Sequence, residues 1–155
     1  MNQQYPARIA DEDSWINAES SSNGNPLMLR IRPDLQSFDG KESFPNKIVF
    51  TWEFGHAEEL DGLPSDEQYD EMKLFEDALV ESLEEGRCAI FAYAHTGCGA
   101  CERHFYISDL TEIKPALDGV LNGFPGLPLR IETYDDPEWT EYLTLASMTL
   151  ASRMQ

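Results

Sequence analysis

Basic side chains are scarce. The 155-residue chain carries 11 Lys and Arg against 29 Asp and Glu, a formal net charge of −18. No Lys or Arg falls between Ile131 and Ser152, and residues 58–85 hold twelve carboxylates with Lys73 as the one cation. Gripping a phosphate backbone requires Lys and Arg to displace counterions, so this deficit excludes nucleic acid and an anionic membrane as expected partners. Besides solubility, it favours attraction to a basic protein surface. Long apolar runs are missing too: none approaches the roughly 18 residues that span a bilayer. The opening stretch, Met1 to Arg8, lacks the charged-then-apolar order of a secretion signal. Cysteine is limited to three, an odd number that argues against a disulfide framework and agrees with a reducing, cytoplasmic setting. There is no glycine loop to cradle phosphate and no Ser/His/Asp arrangement, so the expectation is a non-enzymatic protein.

What is present suffices for a folded core. Apolar residues make up 41% of the chain, including eight Phe, six Tyr and three Trp. Residues 1–13 read as a flexible lead-in and 14–150 as a single α+β domain. Asn23-Gly24-Asn25-Pro26 is a turn signal between two short extended stretches, which predicts an N-terminal β-hairpin. Lys47 to Phe54 is rich in β-branched and aromatic residues, with Ile48, Phe50, Trp52 and Phe54 on one face. Ser65 with Gln68 forms a capping-box pattern. Tyr69, Met72, Phe75, Leu79 and Leu83 follow at helical spacing, predicting a helix over 66–85 with Gly86 as its C′ residue. Cys88 to His95 and Glu102 to Ile107 read as strands joined by a tight turn. A second helix is expected from Asp109 or Thr111, and Pro115 favours the later start. Leu129 to Tyr134 is the last strand. Asp136-Pro137 is an N-cap and N1 pair opening a closing helix lined by Trp139, Tyr142, Leu143, Ala146 and Leu150. Strand, helix, strand, strand, helix, strand is the order of a ferredoxin-like split βαβ sandwich, here with an N-terminal β-hairpin and an extra C-terminal helix.

Five pieces in order, Asn23-Gly-Asn-Pro-Leu27, Gly62-Leu-Pro-Ser65, Phe75-Glu-Asp-Ala-Leu79, Thr96-Gly97 with Phe105-Tyr106, and Asp136-Pro-Glu-Trp139 with Tyr142, carry a family likeness over residues 14–145. In these the chain resembles domain-of-unknown-function family 695. That family supplies no catalytic residues. It is associated with, and similar in fold to, the regulator of ribonuclease E activity B family, acidic ferredoxin-like proteins that bind and restrain a ribonuclease. The likeness therefore implies a ferredoxin-like fold and a regulatory, protein-binding role.

Two places could carry chemistry. Pairing His95 with Glu102 puts Ile90, Ala92, Phe105 and Ile107 on the helix-covered face. Phe91, Tyr93, His95, Glu102, His104 and Tyr106 then lie on the other. Either the hairpin or the closing helix covers this second face, or it is open and binds protein. Together with Glu67, Tyr69 and Glu71 on the acidic helix, Phe91, Tyr93 and Tyr106 are the candidate contacts for a basic protein. The second place is the turn Cys98-Gly-Ala-Cys101 with its flanking histidines. His95, Cys98, Cys101 and His104 recur at even spacing and contain zinc-type ligands. The same cysteines could form a redox pair, although no helix N-terminus follows to stabilise a thiolate. Their third reading is two solvent-exposed turn thiols with no role. Cys88 is expected to be a small buried hydrophobe.

Overall fold

Alternating apolar side chains at Ile48, Phe50 and Trp52 need a cover on one side only, and two amphipathic helices supply it. A computed structural model of the chain describes residues 15–22, 24–55, 62–84 and 88–153. The expected lead-in over 1–13 and the C′ glycine at 86 lie outside the described residues. Six strands form the centre: β1 (Ile16–Ser22), β2 (Asn25–Ile31), β3 (Asn46–Glu53), β4 (Ala89–Gly97), β5 (Ala100–Ile107) and β6 (Leu129–Asp135). Three helices join them, α1 (Asp66–Leu79), α2 (Leu110–Asn122) and α3 (Thr140–Arg153). The sheet order is β1-β2-β4-β5-β3-β6 and all neighbours are antiparallel. The fold is mixed α+β, and the N-terminal hairpin β1–β2 extends the sheet at the β4 edge.

Phe75 and Leu79 of α1, Leu83 just beyond it, and Ile113, Leu117 and Val120 of α2 pack on Ile48, Phe50, Phe91 and Phe105 of the sheet. The two helices thus share one face, as the alternation predicts. Phe91 and Phe105 stack with ring centroids 4.5 Å apart, and Phe50 meets Phe105 edge-on at 5.8 Å. Burying each such ring contributes about 1.5–3 kcal/mol. The capping box of α1 is formed: Gln68 N donates to Ser65 Oγ at 3.2 Å and Ser65 N donates to Gln68 Oε1 at 2.9 Å.

Several expectations need correction. The α-helical geometry of α1 stops at Leu79, and Val80–Glu84 continue as one wider π turn. Helix α2 starts at Leu110, one residue earlier than Pro115 suggested. Asp109 caps it by accepting from Glu112 N at 2.8 Å. Proline is tolerated because the carbonyl it strands, that of Thr111, lies in the exposed first turn where water can serve it. Helix α3 starts at Thr140 instead of Pro137. Asp136 still caps it from a distance, with Oδ1 accepting from Thr140 N at 2.9 Å and Oδ2 from Glu141 N at 3.3 Å. Between them Trp139 adopts φ 57°, a left-handed conformation that costs about 1–2 kcal/mol for a side chain of this size. Its ring is wholly buried in return.

The second sheet face is not open. Trp139, Tyr142 and Ala146, with Leu35 and Phe44 from the β2–β3 connection, close over Ile31, Ile90, Ala92, Tyr93 and Tyr106. Face parity along β4 also differs from simple alternation. Phe91 pairs with Phe105, yet Tyr93 pairs with His104, so Ala92 is the extra residue of a β-bulge. Phe91 therefore lies on the α1–α2 face, and Ile90 and Ala92 on the α3 face, the reverse of expectation.

Candidate functional site

The best-exposed chemistry lies on α1. Its apolar stripe faces the sheet, so Asp66, Glu67, Asp70, Glu71 and Asp77 are left in solvent. Two large side chains stand out among them, Tyr69 at 57% and Leu74 at 63% exposure. Lys73, the helix's one cation, pairs with Asp77 at 3.6 Å. Of the predicted contacts, Glu67, Tyr69 and Glu71 are thus accessible. Phe91, Tyr93 and Tyr106 are not: each is at most 1% exposed, because the bulge and α3 bury them. The sequence reading missed Leu74, although its place among carboxylates at 70, 71 and 77 was visible.

Behind this face α1 contributes Glu76 to an inner charge cluster. Glu76 Oε1 accepts from Arg30 Nη2 of β2 and, at 2.8 Å, from Arg103 Nε of β5. Burial works to raise the Glu76 pKa, but the two guanidiniums together hold it below the ordinary carboxylate range. A cavity of about 280 Å³ opens beside the cluster. Neither Arg30 nor Arg103 was placed in a charge cluster from sequence.

On the α3 face, Tyr93 stacks on His104 at 4.1 Å, and His95 meets His104 edge-on at 5.8 Å. His104 Nε2 hydrogen-bonds Glu102 Oε1 at 2.8 Å. Lys47 Nζ donates to Tyr93 Oη at 3.0 Å and pairs with Glu141 at 2.8 Å. Burial pushes the pKa of both histidines down, with Lys47 acting in the same sense and Glu102 opposing. The His104 hydrogen bond lowers Glu102. These two histidines bind fewer protons when folded than when unfolded, so stability rises with pH between their folded values and about 6.5. Lowering the pH below about 6.5 is therefore expected to reduce the unfolding free energy measured in urea, by at most about 1.4 kcal/mol per pH unit per histidine. His104→Phe keeps the stack and removes one titration, so its profile from pH 7.5 to 5.5 should be flatter than that of the native chain. An unchanged slope would assign the loss to other groups.

The four candidate zinc ligands do not converge. A two-residue turn, Cys98 at φ 54° and Gly99 at φ 82°, places Cys101 opposite Thr96 on the α1 side. There Cys101 is 4% exposed against Trp52 and Met72, whereas His95 and His104 point to the α3 side. Among the described residues no group of three or more His, Cys, Asp or Glu is arranged to hold a metal. The expectation of two exposed turn thiols holds only for Cys98. Burial raises the Cys101 thiol, with Arg103 opposing, which works against a reactive thiolate there. Cys88 is half-buried, just before β4, and its Sγ donates to Leu83 O at 3.4 Å. All three cysteines are free. Gly97 has a packing reason: a Cβ there would sit 2.6 Å from Pro26 O, so the hairpin tip and β2 can touch only at glycine.

No helix among the described residues is long and apolar enough to cross a membrane. A comparison with curated proteins finds no match. The family likeness carried by the five ordered motifs is borne out by a family profile that matches residues 13–145: the chain belongs to the family of unknown function DUF695.

Proposed function

We propose that this protein is a non-enzymatic, cytoplasmic binding module that docks a basic protein surface through the outer face of α1, as a regulator of the protein it holds. The observation that carries this reading is the exposure of Tyr69 and Leu74 among the carboxylates Glu67, Asp70, Glu71 and Asp77. Carboxylates alone serve solubility, but an aromatic and a leucine on the two flanks of that face cost solvation and supply apolar contacts an interface can use. The charge of −18 adds long-range steering toward a cationic partner. The strand order β4-β5-β3-β6, with α1 and α2 on one face, supports a ferredoxin-like split βαβ core. On that basis we extend the kinship to the ribonuclease-restraining family of similar fold.

The test is a pull-down with the purified chain, repeated with Glu67→Lys/Glu71→Lys and with Leu74→Ser. All three positions are exposed, so the variants should keep their stability within about 0.5 kcal/mol. A partner of basic composition should be retained near 0.1 M salt, where screening acts over about 10 Å, and released near 1 M, where it acts over about 3 Å. Charge reversal should abolish retention, and Leu74→Ser should weaken it. A partner held equally by the charge-reversed chain would end this reading.

A further inference from the structure

The sheet is wider than its helical cover. Two helices of about 10 Å each span about four strands at ~4.8 Å spacing. The hairpin β1–β2 makes six strands, and along the border that α1 leaves uncovered lies the cavity of about 280 Å³. Small side chains on β4, Ala94 and Thr96, keep it open from below, while Met28, Leu63 and Pro64 give it apolar walls. Its charged lining is unlike the rest of the chain. Arg30, Lys73 and Arg103 face Asp66 and Glu76, a local excess of one positive charge in a molecule of −18.

We propose that this cavity binds a small carboxylic acid as its monoanion, with the carboxylate at Arg30 and Lys73 and an apolar body on the Met28, Leu63 and Tyr69 side. One oxygen of Glu76 serves both guanidiniums, which leaves donors of Arg30 and Arg103 to spare. Arg103 Nη1 is buried and makes no hydrogen bond of normal geometry among the described residues. An unsatisfied buried donor is costly, and a nearby anion relieves that cost electrostatically. Arg30 is already positioned, stacked 4.8 Å from the Trp15 ring and tied to Glu76, so little ordering is needed on binding. At 34% side-chain exposure it can be reached from solvent. Lining charges that sum to one positive, with Asp77 beside Lys73 just outside the lining, suit no more than a single negative charge. A phosphate dianion would add a charge against Asp66, Glu76 and the acidic face of α1, and a nucleotide is too large for the volume. This site borders the outer face of α1 and shares Tyr69 with it, but binding of a small anion is read on the isolated chain and does not depend on docking there.

Phenylacetate is a suitable probe, titrated into the full chain by calorimetry and by amide shifts in a ¹H–¹⁵N spectrum. Saturable one-to-one binding with a Kd of about 1 mM or tighter is expected, with shifts centred on Ala94, Thr96 and Arg103. Phenylacetamide, which has the same shape without the charge, should bind at least ~10-fold more weakly. Arg30→Gln should weaken phenylacetate ~10-fold, and Lys73→Glu, at an exposed position that leaves folding intact, should abolish binding even if the arginine variant is unstable. The proposal is overturned by no saturation up to about 10 mM, by equal affinity for the amide, by tighter binding of inorganic phosphate, or by shifts that map elsewhere.

Discussion

Glu84→Ala should cost about 3–5 kcal/mol, a large share of the roughly 5–15 kcal/mol by which an ordinary domain is stable. Arg32 and Glu84 form a two-pronged ion pair with both side chains almost wholly buried, Nη1 to Oε2 at 2.7 Å and Nη2 to Oε1 at 3.0 Å. Glu84 Oε2 also accepts from Phe91 N at 2.8 Å, beside the bulge, and Arg32 Nη1 donates to Phe91 O at 3.3 Å. Removing the carboxylate leaves a buried guanidinium and a buried amide without their partner, and that desolvation sets the size of the loss. The pair itself is not expected to be worth as much. Replacing both residues with Met removes both charges, and the double variant should recover most of what Glu84→Ala loses. Urea unfolding of the two variants side by side checks this. A loss below about 1 kcal/mol for Glu84→Ala would mean that water reaches the pair.

Trp139→Ala should cost a similar amount, about 3–5 kcal/mol, for a different reason. The indole stacks on Tyr106 at 4.1 Å, meets Tyr142 edge-on at 5.7 Å, and donates from Nε1 to Phe44 O at 2.9 Å. It thus joins the last helix, a central strand and the β2–β3 connection. Trp139→Phe keeps much of the stack and loses the hydrogen bond, so a smaller loss of about 1–3 kcal/mol is expected. Near-ultraviolet circular dichroism should collapse for the alanine variant before helix content does, because aromatic packing fails first. A full loss of α3 with the aromatic signal intact would contradict this order.

Much of the fold was legible because strands and helices of this chain announce themselves by period. Ile48, Phe50 and Trp52 alternate, Met72, Phe75 and Leu79 recur by turns of helix, and Ser65 with Gln68 marks where the helix begins. Where reading failed, the cause was local and physical. One extra residue at Ala92 reverses parity for the first half of β4, and no composition signal separates a bulge from a regular strand. Asp136-Pro137 has the chemistry of a helix start, yet the need to bury Trp139 inserts a turn before the first helical residue. The inner charge cluster was partly visible. Arg103 occupies the inward-facing position between Cys101 and Phe105, and Glu76 interrupts the apolar stripe of α1. Each was a charged residue where alternation or helical period called for an apolar one, a pattern that points to buried pairing. Arg30 carried no such mark, since its role depends on the hairpin lying beside β4.

The position of α3 in the chain sets the order in which the molecule can be finished during synthesis. All six strands among the described residues precede Trp139, Tyr142 and Ala146, the residues that roof Ile90, Tyr93 and Tyr106. A nascent chain that has released every strand can assemble the sheet and its first helical layer, but its other side stays an aromatic surface without a cover. During that interval the growing chain is at its most prone to associate with its neighbours on a polysome or to engage a chaperone. A released chain truncated just before Trp139 would remain in that state.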